Sequence, residues 1–167
     1  MTCELFAVRQ AITTDIPVIA RHRASMFRDM GQLAPHLVEP LERATASYLA
    51  DALPRGEYLG WVAENEGPAP TAIGGAGVQL RPILPRPRSG RDDLELGPEA
   101  IVLNVYVEPA WRRCGVGGAL MRAVLGALAD RGVQRVVLHA SQDGRRLYER
   151  LGFAATNEMR LIQDPGQ

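Results

Sequence analysis

Apolar and polar positions change period several times along the chain, and each change marks an element. Residues 5–11 alternate loosely, Phe6 and Val8 against Ala7 and Arg9, and predict a first strand. Thr13-Thr14-Asp15-Ile16-Pro17 predicts a helix start: a capping hydroxyl, an early acid, and a proline where its missing N–H costs little. Ile16, Ile19, Ala20, Arg23 and Phe27 then keep helical spacing up to Gly31, with Met26 and Met30 at the flank. After a loop carrying His36, a second helix is expected from Pro40, because Leu41, Ala44, Thr45, Tyr48, Leu49 and Ala52 share a face, and Pro54 closes it. Residues 58–64 predict a strand and 71–81 its antiparallel partner, joined by a Gly/Pro-rich turn. Gly74, Gly75 and Gly77 in the second of these suggest a bulge or a close backbone approach. Residues 82–98, with four prolines and Arg86, Arg88 and Arg91, read as a long irregular, mobile insertion. The alternative for that insertion is that its arginines meet an anionic substrate.

The strongest pattern follows. Ile101 to Val107 is β-branched and apolar, with Asn104 and Tyr106 alternating against Leu103, Val105 and Val107, and Pro109 ends it. Val116, Ala119, Leu120, Ala123, Val124, Ala127 and Leu128 form a helix face closed by Gly132. Residues 135–139 predict a short buried strand. A short helix then places Leu147, Tyr148 and Leu151 on one face before Gly152, and two last strands are expected near 153–156 and 158–163. The order β-α-α-β-β-β-α-β-α-β-β describes a single α/β domain over 1–167 with a mixed sheet.

Composition narrows the field of functions. A chain of 167 residues, 46% apolar, buries ~70% of its unfolded surface without needing staples. Lysine is absent, and nineteen arginines balance nineteen acids. Zero net charge argues against a general nucleic-acid or acidic-membrane binder. Cys3 and Cys114 form neither a disulfide framework nor a metal-ligand cluster, so no metal is expected. With no signal-peptide apolar region and no run near the roughly eighteen apolar residues of a span, a cytoplasmic protein is expected.

Between the central strand and its helix lies Arg112-Arg113-Cys114-Gly115-Val116-Gly117-Gly118. The first N–H groups of a helix lack intrahelical partners and carry the positive end of the macrodipole. Glycines let an anion approach them, and arginines add charge and forked donors. The plainer reading is a tight strand-to-helix turn with two solvated arginines. No Gly-Lys-Ser/Thr triplet occurs, and Gly-x-Gly-Gly past mid-chain is not a dinucleotide fingerprint. Arg112-x-x-Gly115-x-Gly117 instead resembles the pyrophosphate motif of the GNAT superfamily of acyl-CoA N-acyltransferases. The resemblance is strongest from Ile101 to Phe153 and weak before Tyr58, though the element order agrees throughout.

The resemblance implies a GNAT fold: a mixed, mostly antiparallel sheet splayed between its fourth and fifth strands and flanked by helices. It implies coenzyme A, with acetyl-CoA as co-substrate, its pyrophosphate on Arg112, Arg113, Cys114, Gly115, Val116, Gly117 and Gly118. The backbone of Val105, Tyr106 and Val107 would clamp the pantetheine arm, and one N–H would meet the thioester carbonyl. Tyr148, four residues before the pair Gly152-Phe153 beginning at 152, matches the family's second motif and would protonate the departing thiolate. A phenol of pKa ~10 can donate to a thiolate whose conjugate acid lies near ~8.5. Ser141 stands where the family often has asparagine; it either contacts the cofactor or caps the helix. Cys114 replaces the usual glycine or basic residue, and at a helix N-terminus beside arginines it is expected to be an oxidisable thiol.

For the proton on the acceptor amine the candidates are His139, Asn104 through a water, Glu108 and Asp29. Met26, Phe27 and Met30 either line an acceptor pocket or pack in the core. The expectation is a cytoplasmic N-acetyltransferase moving acetyl from acetyl-CoA directly to an amine of a small molecule or peptide. It involves no nucleic acid or membrane, and a homodimer is left open. The alternatives are the same fold with another acyl donor or an O-linked acceptor, and a non-catalytic acyl-CoA sensor.

Overall fold

The computed structural model describes residues 5–88, 90–159 and 161. Its frame is a five-stranded sheet in the order β1 (Phe6–Gln10), β2 (Tyr58–Asn65), β3 (Ala72–Pro82), β6 (Pro98–Val107), β7 (Arg135–Leu138). The first three pairings are antiparallel and β6–β7 is parallel, so the sheet is mixed as expected. Helices α1 (Ile16–Asp29) and α2 (Val38–Ala52) cover one face, and α3 (Val116–Asp130) with α4 (Gln142–Arg150) the other. Residues 58–63 of β2 are all buried because this strand is covered on both faces, which is why it reads as a continuous apolar run. Leu120, Met121, Val124 and Leu128 of α3 pack on Trp61, Ala63, Val78 and Val102, while Ile19, Leu49 and Ala52 close the opposite side against Tyr58 and Val62.

Several boundaries differ from the sequence reading. The second helix begins at Val38, taking Pro40 into its first turn, where an N–H is not needed. The 82–98 segment holds a small hairpin, β4 (Arg86–Pro87) with β5 (Leu94–Glu95). Arg86 pairs there with Glu95 and Arg88 with Asp93, so two of the three arginines offered to a substrate are engaged within the hairpin. Residues 153–159 and 161 form no strand, and the remainder of the expected 158–163 strand lies outside the described residues. Phe153 is anchored edge-on to Tyr148, but residues 154–159 are exposed and bury no face that would repay ordering a strand.

Glu99 ties the closed end of the sheet. Its buried carboxylate accepts from Arg81 Nε at 2.7 Å on β3 and from Arg135 on β7. Burial pushes this carboxyl up, but the two guanidinium groups outweigh it and hold it below the usual range. The β6–β7 pairing runs from Glu99↔Arg135 to Val102↔Leu138 and no further. Leu103 to Val107 therefore continue along β3 with no β7 partner.

Candidate active site

Opposite the point where β7 stops, β6 carries a bulge. Gly77 pairs with Leu103 and Gly75 with Tyr106, so Asn104 and Val105 together face Ala76. Asn104 adopts φ 55°, a left-handed conformation that asparagine tolerates better than most residues. A one-residue slip reverses which face each later side chain meets. Val102 packs toward α3, and after the bulge so do Val105 and Val107, whereas Asn104 and Tyr106 turn to the α1 layer.

The glycines of β3 make room for this. A Cβ on Gly77 would lie 1.8 Å from the Tyr58 hydroxyl, and one on Gly74 2.8 Å from the Tyr106 carbonyl oxygen. Both the bulge and the close approach read from the glycine run are present.

Backbone direction completes this edge. Glu108 N–H donates to Ile73 on β3 at 2.8 Å. Successive residues of a strand point their N–H groups to opposite sides, so those of Val107 and Val105 face away from β3, toward the side β7 has left.

At the end of β6, Pro109–Trp111 forms a single 3-10 turn and the chain enters α3 through two left-handed residues, Arg113 (φ 65°) and Gly115 (φ 82°). Gly115 is the N-cap, with no side-chain cap, and the first closing bond is Ala119 N–H to the Gly115 carbonyl. The N–H groups of Val116, Gly117 and Gly118 are thus left to an outside acceptor. A Cβ on Gly117 would stand 3.4 Å from Leu147 and 3.8 Å from Val107, which brings α4 and the tail of β6 to the mouth of α3. The two arginines divide their duties. Arg113 is exposed, while Arg112 turns back to donate to the Val107 carbonyl at 3.1 Å and to Asp29 of α1. Cys114 is disulfide-bonded, which corrects the expectation of a free thiol and the reading that the cysteines build no disulfide framework.

On α4, Ser141 is the N-cap and its hydroxyl oxygen accepts from Gly144 N–H at 3.2 Å, the capping alternative of the two considered. Tyr148 is half-buried against the core, its ring edge-on to Phe153 at 6.1 Å, and burial pushes its phenol up. Its hydroxyl has no hydrogen-bond partner among the described residues. His139 stands one residue beyond β7 and is mostly exposed, with Glu158 as an acidic neighbour at 3.9 Å. It makes no hydrogen bond to Tyr148 or Asn104.

The α1 face holds a polar cluster that periodicity did not single out. His22 is 2% exposed, stacked at a tilt on Tyr106 with 5.2 Å between centroids, and its Nε2 is 3.3 Å from Glu108. Burial, with Arg21 adding repulsion, lowers its pKa to about 4 against the opposing pull of Glu108. Glu108 is also held by Arg21 at 2.6 Å. Beside them Arg23 donates to the Asn104 side-chain oxygen, and the Asn104 amide donates to the Tyr58 hydroxyl at 3.1 Å. Tyr58 is fully enclosed and its phenol is pushed up to about 12. Met26 and Phe27 are half-buried and Met30 exposed, and none belongs to either core cluster. The usable clues were an asparagine within an apolar strand and the run Arg21-His22-Arg23 inside an amphipathic helix.

Among the described residues no helix is long and apolar enough to cross a membrane, and no group of acids, histidines and cysteines is arranged to hold a metal.

Comparison with known proteins gives a consistent answer. The model of the acetyltransferase (GNAT) family matches residues 23–153. Glucosamine 6-phosphate N-acetyltransferase from Trypanosoma brucei brucei is 28% identical over 133 residues, covering 78% of this chain and 84% of that protein. A GCN5-related N-acetyltransferase from Ralstonia eutropha JMP134 superposes with a TM-score of 0.80 at 32% identity, over 95% of this chain and 99% of the other. A predicted acetyltransferase from Clostridium acetobutylicum, crystallised with acetyl-CoA, shares the fold with a TM-score of 0.76 at 22% identity, over 95% and 96% of the two chains.

Proposed function

The chain belongs to the acetyltransferase (GNAT) family, and on that premise we propose that it moves an acetyl group from acetyl-CoA directly to an amine of a small molecule or peptide. The observation that carries this reading is the meeting of two backbone donor sets. The free N–H groups of Val116, Gly117 and Gly118 open α3, and beside them runs the edge of β6 that β7 no longer covers. The first set suits a pyrophosphate, with Arg113 near it; Arg112 holds the loop through Val107 and Asp29. The second set, the N–H groups of Val105 and Val107, suits an extended amide arm and a developing oxyanion, while Tyr106 holds the strand against His22. That a protein of this fold was crystallised with acetyl-CoA supports the same ligand here.

Acetyl-CoA supplies an activated thioester carbonyl; the rest is asked of this chain's side chains. Tyr148 is the proposed acid, a phenol that burial keeps protonated at neutral pH, placed next to the Leu147 that packs on the mouth of α3. His139, in contact with solvent, is the proposed relay for the amine proton. Ser141 acts by starting α4 and so setting where Tyr148 stands. The Trypanosoma relative acts, by its name, on glucosamine 6-phosphate, which puts amino-sugar phosphates first in the acceptor panel.

The test is calorimetry with acetyl-CoA, ATP and NAD, followed by thiol release across that panel. Acetyl-CoA is expected to bind most tightly and to release thiol with at least one amine. Tighter binding of ATP or NAD overturns the assignment of the α3 loop. Tight acetyl-CoA binding with no thiol release from any amine favours the sensor.

A further inference from the structure

We propose that Arg23 is an anion-recognition residue of the acceptor site, so that the amine acetylated by this protein also carries a phosphate or a carboxylate. The inference rests on the N-acetyltransferase reading above and adds the chemical class of its acceptor.

Charge accounting around β6 carries it. The described carboxylates near this end of α1 are already committed: Glu108 to Arg21 and His22, and Asp29 to Arg112. Arg23 lies between these pairs on the helix and is paired with neither. Its one polar partner among the described residues is the neutral side-chain oxygen of Asn104, and its planar group lies over the Phe27 ring at 4.9 Å. Tyr58, on the far side of Asn104, supplies no countercharge, since its enclosed phenol stays neutral up to about pH 12. Other described arginines without an ion pair, such as Arg113, Arg122, Arg145 and Arg150, are exposed, and water serves them. Arg23 is half-buried, and burial opposes its charge. A guanidinium has five N–H donors, and a desolvated cation without a counterion is costly to maintain in a fold.

Its place gives that cost a use. Asn104 is the bulge residue, and the next residue, Val105, offers one of the two N–H groups proposed for the amide arm and the developing oxyanion. The fork of Arg23 therefore opens on the α1 face one residue from the proposed reaction centre, where an acceptor molecule must lie. A planar fork of this kind matches carboxylate and phosphate oxygens two at a time. Asn104 holds it in one orientation, and Phe27 bounds it on one side. An anionic group bound there tethers the acceptor by its far end and leaves its amine free to approach β6.

The experiment uses protein saturated with coenzyme A, so that nothing turns over, and two pairs of amines differing in charge. Glucosamine 6-phosphate against glucosamine tests phosphate, and β-alanine against β-alanine amide tests carboxylate. In at least one pair the anionic member is expected to bind tenfold or more tighter by calorimetry, the order of a charged hydrogen-bonded contact. Arg23→Gln should erase that preference, Arg23→Lys should keep part of it, and Arg28→Gln, removing the same charge from an exposed site on α1, should leave it intact. Equal binding within both pairs, no binding of either anion, or an unchanged preference in Arg23→Gln overturns the proposal. Loss of coenzyme A affinity in Arg23→Gln would assign the residue to the cofactor and overturn it as well. Failure of coenzyme A to bind the unaltered protein would instead count against the family reading of the α3 loop.

Discussion

On the α3 side of the sheet, the molecule presents mostly backbone donors: helix N–H groups behind glycines and the N–H edge of β6. On the α1 side it offers side chains, and their partners come from far along the chain. Arg21 meets Glu108 across 87 residues, Arg23 meets Asn104 across 81, and Arg112 meets Asp29 across 83. The contrast explains how one fold can keep a cofactor and change its acceptor. A backbone site depends on a turn and a strand end, which many side chains permit. A side-chain site depends on a few residues of one helix face, which substitution alters without disturbing the sheet.

Tyr148 is the sharpest test of that division, because it is the proposed acid and stands on the α3 side. Tyr148→Phe keeps the ring and its edge contact with Phe153 and removes one proton donor. Turnover with an accepted amine is expected to fall by roughly 10²–10⁴, with the acetyl-CoA dissociation constant unchanged. Unchanged kcat would make Tyr148 structural.

A second test addresses the buried polar cluster. His22 titrates near pH 4 in the fold against about 6.5 in an unfolded chain, so the fold binds fewer protons between those values. Stability contributed by neutral His22 is fully present above about pH 6.5 and is lost as pH falls toward 4, by on the order of 3 kcal/mol. Denaturant titrations at pH 7 and pH 4.5 should show this slope, and His22→Gln should flatten it. An unaltered slope in that variant would place the acid sensitivity elsewhere, with Glu99 the first group to examine.

The smallest effect is expected at Gly77. A methyl there would sit 1.8 Å from the Tyr58 hydroxyl, so Gly77→Ala must displace Tyr58 and with it the support for Asn104. A loss of about 1–3 kcal/mol is expected in urea unfolding. The acetyl-CoA dissociation constant should move little, since the α3 mouth is untouched. Equal damage to acetyl-CoA binding would show that the two sides of the sheet are not separable.

The elements with strong periodicity are legible from the chain alone: α1, α3, the strands read at 58–64 and 101–107, and the glycine turn between β6 and α3. Each has an apolar period that no other local structure satisfies, and the turn's chemistry lies within seven consecutive residues, 112–118. No strand forms over residues 153–159, where short stretches such as Phe153-Ala154-Ala155 carry no period long enough to distinguish a strand from an exposed tail.

What the sequence by itself determined is therefore the fold class, the place of the glycine-rich terminus of α3 and the tyrosine on α4, all matters of residues close together in the chain. Tertiary structure alone decided where β7 releases β6, how the bulge turns Asn104 toward α1, and which carboxylate each arginine takes. Those depend on pairings across more than eighty residues, and on a one-residue slip opposite Ala76 that reverses a face. Local pattern carries no information about such a slip, because the side chains on either side of it still alternate.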